Sequence, residues 1–472
     1  MNPNHTGGDV PWKTLVALWV VYFFSASGRI AIADSAFMLD LTRSLLSGSI
    51  AVSPSAERLV GADGQTYCHY GLLTSLWWMP FVFVGRLMAR FFPIIPASQW
   101  EEFTVSFAGG FVVVLLLVYQ DWAWRLRGMK ARQRRWGLWA LGMSTVLWPY
   151  AKISMSDPIM ALCLFAAYVH WRASERPAQA LAAGIWLGLA LLSRKQAQSL
   201  LPILLLYFCW QSRGAGGRRR LAFVGWGLLP ALLVQLAYNQ ARGGNPLVER
   251  YAGAAFGMLG PMEFLRRSAG LLFNGESGLF TYSPLLLLWL VGGVEGWWKR
   301  DRAEVLLIAA MLAGQMVLLS PQPYWDGPLT FGSRYLLFLV PFLGLSWGAW
   351  EWPLRRARRW LMIGGVAVGT SIAALGVTTD TLATCWRREI YLSNHHWLLP
   401  VYGAELARTL GVDRTPPPQD KPFANIYWNH PAFQVPDVWW WHLGHQLFNP
   451  RPAGKSKDSN APTDKPLAPV AP

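Results

Sequence analysis

The chain has 472 residues, 53% hydrophobic and only 14% charged, with 28 Trp. Soluble domains carry roughly 25% charged residues, so this balance excludes an ordinary soluble enzyme; repeated apolar runs of about 17–25 residues predict an all-α polytopic membrane protein. A formal net charge of +16 would suggest nucleic acid in a soluble chain, but most of the excess lies in short loops between apolar runs, where it sets topology and meets anionic headgroups; membrane lipids are expected partners and nucleic acid is not.

The first apolar run, about 12–32, lacks a strong basic leader and a small-residue cleavage site and reads as a signal-anchor. Basic clusters follow at Arg125, Arg127, Lys130, Arg132, Arg134 and Arg135, at Arg172 and Arg176, at Arg213, Arg218, Arg219 and Arg220, at Lys299, Arg300 and Arg302, and at Arg355, Arg356, Arg358 and Arg359. Short basic loops stay cytoplasmic. If 72–92 crossed the bilayer, the cluster at 125–135 would lie outside, so 72–92 is predicted to be an apolar helix at the outer interface, broken by Pro80, Gly85 and Pro93.

The predicted spans are then about 12–32, 103–124, 136–153, 158–171, 179–193, 198–211, 221–239, 279–297, 303–320, 335–351 and 359–377. This eleven-helix topology places the N-terminus in the cytoplasm and the C-terminus outside. The outer face receives 33–102, 154–157, 194–197, 240–278, 321–334 and 378–472. Residues 1–377 form the membrane domain, with surface helices in the first loop. The Trp-rich segment 378–450 reads as a small external cap, and 451–472 as a disordered tail. Cys163 and Cys209 fall inside spans; Cys68 and Cys385 both fall outside, where a disulfide is an open option.

Acids beside apolar spans are expensive and need a reason. Asp34 follows the first span, ahead of an amphipathic stretch in which Phe37, Leu41 and Leu45 share a face. Asp157 sits in a tight outer turn before Pro158. Helix capping explains either acid alone. Together at one mouth of the bundle, they form a candidate pair that can take a proton from an attacking hydroxyl. Outer basic residues are few: Arg194 and Lys195 in one loop, Arg334 in another. They suit a phosphate site or snorkelling to headgroups, and Asp326 is a candidate partner for Arg334. Two polar and aromatic segments suit sugar recognition: 63–80, with Tyr67, His69 and Tyr70, and 273–287, with Glu276 and Tyr282. The interfacial aromatic belt explains most other Trp and Tyr. Walker, dinucleotide-binding, HExxH, Cys/His metal and DxD patterns are missing from the sequence, so no cofactor is expected.

An Asp just after the first span, surface helices in an outer first loop and a second acid after the third span resemble the GT-C glycosyltransferase superfamily. The segments YCHYGLLTSLWWMPFVFVG (67–85), SGLFTYSPLLLL (277–288) and FGSRYLLFLVPFLGL (331–345) resemble its bacterial polyprenyl-phosphate-sugar transferases, of the protein mannosyltransferase and aminoarabinose transferase type. The resemblance covers about residues 12–350. It implies a bacterial inner-membrane enzyme moving a sugar from a polyprenyl-phosphate donor to a glycan, lipid or protein acceptor at the outer face. Asp34 would be the base, Asp157 a second acid, and Arg334, Lys195 and Arg194 the grip on the donor phosphate. Ser156-Asp157-Pro158 departs from the DxD or DxE motif of the metal-dependent branch, and Ser35 stands where other branches pair a second acid. A transporter or flippase, or a polymerase or ligase of lipid-linked glycans, is the alternative; a transporter would place ionisable groups near mid-membrane, whereas here they lie at span ends.

Overall fold

The computed structural model describes residues 10–379 except 31, 54–58, 62, 214, 248–258, 323, 328–329 and 351–353, together with 437–440. Cys385, most of the expected cap and the 451–472 tail lie outside the described residues.

The described residues are helical almost throughout. Its elements are α1 (Trp12–Ser25), α2 (Ala33–Leu46), α3 (Leu72–Phe91), α4 (Ala97–Val105), α5 (Ala108–Leu126), α6 (Ala131–Met143), α7 (Leu147–Lys152), α8 (Ser156–Ala173) and α9 (Pro177–Ser193). There follow α10 (Lys195–Gln211), α11 (Ala215–Gly243), α12 (Pro261–Phe273), α13 (Leu279–Tyr282), α14 (Pro284–Arg300), α15 (Arg302–Leu319), α16 (Leu339–Leu343) and α17 (Arg356–Thr378), with 3-10 turns at Arg334–Leu336 and Gly344–Ala349. A two-residue hairpin pairs β1 (Leu59–Val60) with β2 (Thr66–Tyr67). By length and composition, five helices are apolar enough to cross a membrane: Leu72–Phe91, Ala97–Leu126, Gly216–Gly243, Arg302–Leu319 and Arg356–Thr378. Shorter apolar helices include Trp12–Ser25 and Pro177–Ser193.

Most predicted spans fall on helical backbone, but 12–32 is helical only as far as Ser25, 279–297 is interrupted at Ser283 between α13 and α14, and 335–351 is built of short 3-10 and α turns. Leu72–Phe91 is one unbroken helix that contains Pro80. Proline removes a single donor and an otherwise intact ladder tolerates it. Gly85 is a contact point rather than a break, since a Cβ there would come within 2.7 Å of the Glu101 Cα. The stretch 136–153 is instead divided, because Ser144–Val146 leave the helix between α6 and α7. There Ser283 Oγ accepts the Val146 N–H at 3.0 Å, which satisfies a donor the interruption exposes.

The centre of the bundle is α8, buried on all sides from Ser156 to Val169; a helix apolar all round belongs in a core. It packs on α5 and α9. Close approach of α9 and α11 depends on small residues: a Cβ on Gly184 would lie 2.1 Å from the Val224 carbonyl oxygen. Glu101 of α4 holds α2 and α3 together, accepting from Arg43 Nε at 2.6 Å and Arg86 Nε at 2.8 Å.

The two ends of α8, roughly 22 Å apart at 1.5 Å per residue, both carry charge. At the Arg172 end, Glu304 accepts from Arg127, Tyr168 and, at 2.5 Å, Trp297 Nε1. Asp121 nearby lies between Arg134 and Arg125, at 2.8 and 3.0 Å. At the Asp157 end, residues 437–440 lie across the end of α1. Trp439 Nε1 donates to the Phe23 carbonyl at 2.8 Å, its backbone N–H to the Ala26 carbonyl at 2.9 Å, and Asp437 pairs with Lys152 at 2.7 Å and Arg29 at 3.1 Å.

Candidate active site

Asp34 lies in the first turn of α2, immediately after the chain leaves α1. Asp157 lies in the first turn of α8. Neither is the cap: the positions ahead of the helices are Ile32 and Met155, and neither helix has a side-chain cap bond. This corrects the capping alternative. A carboxylate in a first turn still meets the positive end of the helix dipole, and both acids turn outward to guanidinium groups. The two turns are tied together, since Ser35 Oγ donates to the Ser154 carbonyl at 2.7 Å and Ser154 Oγ to the Val105 carbonyl at 2.6 Å.

Arg194 supplies the first guanidinium. It occupies the single extended residue between α9 and α10 (φ −156°, ψ 149°), so its side chain leaves the helical path and reaches into the bundle mouth. Its Nη1 lies 2.5 Å from Asp157 Oδ2 and donates to Ser156 Oγ at 3.2 Å. Arg334 supplies the second, from the 3-10 turn that follows Gly332, a residue with φ 65°. Its Nη1 donates to Asp34 Oδ2 at 3.0 Å and its Nη2 to the Tyr335 hydroxyl at 3.0 Å, with the guanidinium 4.8 Å from the Tyr335 ring centroid.

The four charges sense one another across the two pairs. Asp157 is fully buried and the Asp34 side chain is 20% exposed, so only Asp34 combines a carboxylate with access. Burial pushes the Asp34 carboxyl up, but the Arg334 charge, the Tyr70 hydroxyl and the Arg194 charge together outweigh it and hold the group below the usual carboxylate range. Asp34 is therefore ionised at neutral pH.

The structure thus brings together Asp34, Asp157, Arg194, Arg334 and Tyr70. The other sequence candidates sit elsewhere or are occupied. Lys195 is exposed at the first position of α10. Tyr67 is buried on β2 and its hydroxyl donates to Asp63 at 2.6 Å, which closes the hairpin. His69 packs its ring on Tyr70, centroids 4.1 Å apart. Glu276 is half-buried in the turn before α13. Tyr282 is fully buried and donates to the Gly275 carbonyl at 2.9 Å, so its hydroxyl fixes that turn. Tyr67 and Tyr282 therefore present no free hydroxyl to a sugar. Among the described residues, no three His, Cys, Asp or Glu side chains gather as metal ligands. Sequence reasoning overlooked Tyr335, whose adjacency to Arg334 was the available signal, and Arg242, described below.

No family model matches the chain, and no curated protein sequence does. Solved structures do. ArnT from Cupriavidus metallidurans in the apo state is 15% identical with a TM-score of 0.50, over 83% of this chain and 73% of that one. ArnT bound to undecaprenyl phosphate gives 16% and 0.49, over 93% and 88%. The Archaeoglobus fulgidus oligosaccharyltransferase, solved with Zn and sulfate, gives 11% and 0.46, over 90% and 62%. The chain has the all-α fold of a polytopic membrane protein, and that fold is similar to the fold of ArnT in the apo state.

Proposed function

We propose that the chain is a membrane glycosyltransferase that moves a sugar from a polyprenyl-phosphate donor to an acceptor hydroxyl. The observation that carries this reading is the charge cluster at the Asp157 end of α8: an accessible carboxylate held ionised, beside two guanidinium groups. The GT-C fold supports the same class. With the basic clusters read as cytoplasmic, this end faces outside, where nucleotide sugars are missing and a lipid-linked donor is the available form.

In the reaction, the acceptor oxygen forms a bond to the anomeric carbon as the bond from that carbon to the phosphate oxygen breaks. Asp34 takes the hydroxyl proton. The polyprenyl phosphate leaves with one more negative charge than it carried in the donor, and Arg334 and Arg194 offset that charge. Attack opposite the leaving group inverts the anomeric centre. Without donor, Arg334 is spent on Asp34. An arriving phosphate competes for Arg334 and frees the carboxylate, so the base becomes stronger once the donor is bound. Asp157, fully buried against Arg194, holds that guanidinium in place.

Purified full-length protein incubated with radiolabelled polyprenyl-phosphate sugars tests this. The expected result is label in an acceptor with release of free polyprenyl phosphate. A transporter would move the lipid intact, and no free lipid phosphate under any donor would sink the reading.

A further inference from the structure

The ribbon Tyr67–Gly71 joins the hairpin to α3 and carries Tyr70 to Asp34. Two neighbours pin its backbone. On one side, Gly71 lies so close to the end of α9 that a Cβ would fall 2.4 Å from the Ser193 carbonyl oxygen, one residue before Arg194. On the other, the Arg242 guanidinium from the last turn of α11 spans three consecutive carbonyls, with Nη1 donating to Cys68, His69 and Tyr70 at 3.4, 3.3 and 3.5 Å.

Arg242 is 1% exposed. Burying a guanidinium is costly unless its donors are satisfied, and the surroundings take up both Nη groups. Asn239 Oδ1 accepts from Arg242 Nη2 at 2.9 Å and also from Gln235 Nε2 at 2.9 Å. The Tyr238 ring lies 4.6 Å beneath the guanidinium, and the Tyr238 hydroxyl donates to the Cys68 carbonyl at 3.3 Å. Gln235, Asn239 and Arg242 recur at helical spacing on one face of α11. The clamped ribbon stacks Tyr70 on Phe37, ring centroids 6.4 Å apart, one turn beyond Asp34 on α2. Thus α11 holds the backbone of the 67–71 ribbon, and the ribbon in turn meets α2.

We propose that Arg242, braced by Tyr238, is a positioning residue for Asp34, acting through the carbonyls of Cys68–Tyr70 to hold the Tyr70 hydroxyl on the carboxylate. It touches no reacting atom. The inference rests on the reading of Asp34 as the base, and it adds a cause for the Asp34 ionisation that a phosphate-binding arginine does not supply. When the donor draws Arg334 away, Tyr70 is the contact that remains. Among the described residues, the charged and titratable groups that act on Asp34 and Asp157 are Arg334, Arg194, Asp157, Asp34 and Tyr70, and of these Tyr70 is the one carried on the ribbon that Arg242 holds.

The test uses full-length protein in lipid nanodiscs and two readouts. One is the acid limb of kcat/KM. The other needs no turnover: the pH midpoint of carbodiimide coupling to Asp34, followed by peptide mass spectrometry, since only the protonated carboxyl reacts. Losing a hydrogen bond to the charged form raises the midpoint, so Tyr70→Phe and Arg242→Lys should each move it up by about half to one pH unit. The double variant should move it no further than either single. An unmoved midpoint in Arg242→Lys, or a double shift equal to the sum, overturns the proposal. Tyr238→Phe deletes one hydroxyl and is the variant to read if Arg242→Lys does not fold: a smaller shift of the same sign supports the proposal and an unmoved midpoint overturns it. Wild-type protein with the expected midpoints but no sugar transfer would leave the clamp standing and remove the glycosyltransferase reading instead.

Discussion

The two ends of α8 hold similar chemistry in opposite conditions. At the Arg172 end, Glu304 is 1% exposed and saturated by Arg127, Tyr168 and Trp297, while Asp121 is wedged between two arginines. These acids are spent on side chains of the bundle, and Glu304 ties α8, α14 and α15 to the end of α5. At the Asp157 end, the buried acid is paired in the same way, but Asp34 keeps 20% of its side chain exposed and its described ion pair runs through one oxygen. Residue type alone does not separate the two ends. Access does: a buried carboxylate spent on its neighbours is structural, and one that keeps an exposed face can act.

Substitution should therefore break the two ends differently. The largest effect is expected from Asp34→Asn, which keeps shape and removes basicity. Turnover should fall by about 10²–10⁴-fold with thermal unfolding unchanged, and a wild-type rate would show that the base lies elsewhere. Next comes Glu304→Ala, which leaves Arg127 buried without its acid. Breaking a buried pair by removing one partner costs about 3–5 kcal/mol, so the unfolding midpoint should drop while KM for the donor stays the same. A lost donor affinity with intact stability would mean that the two ends are coupled. The smallest effect concerns pH. The folded Asp34 pKa is depressed, so its carboxylate persists as pH falls and is lost only below the usual carboxylate range. The acid limb of kcat/KM, which reads the free enzyme, should thus lie lower than the acid limb of kcat, where the donor has drawn Arg334 away. Coincident limbs would show that Arg334 stays on Asp34 throughout.

Much of the architecture was legible. Periodic apolar runs and basic loops located most of the long helices, because span length and loop charge are local properties of the sequence; α12, inside the segment 240–278, was not located. The unbroken course of α3 was not, since a proline's effect on a helix depends on whether neighbours make up for the lost donor. At the site, position at a span end was enough to select Asp34, Asp157, Arg194 and Arg334. Their pairing was not legible, because Arg334 reaches Asp34 across 300 residues and Asp326 was the nearer candidate in sequence. Tyr67, Tyr70 and Tyr282 looked alike as polar aromatics, yet the fold gives their hydroxyls to Asp63, Asp34 and Gly275. Arg242 left a trace in the spacing of Gln235, Asn239 and Arg242, which only becomes meaningful once the 67–71 ribbon lies against that face.

The strap at 437–440 bears on biogenesis. Trp439 rests on Gly28, where a Cβ would come within 2.6 Å of the Trp439 Cβ, and Asp437 joins Arg29 to Lys152. The junction between α1 and α2, six residues ahead of Asp34, is thus closed by a part of the chain that leaves the ribosome more than 400 residues later. Membrane insertion of the helices and completion of the reactive mouth are then separate events in time. A nascent chain halted before residue 437 should have its helices inserted yet still lack the contacts that 437–440 make with the junction between α1 and α2.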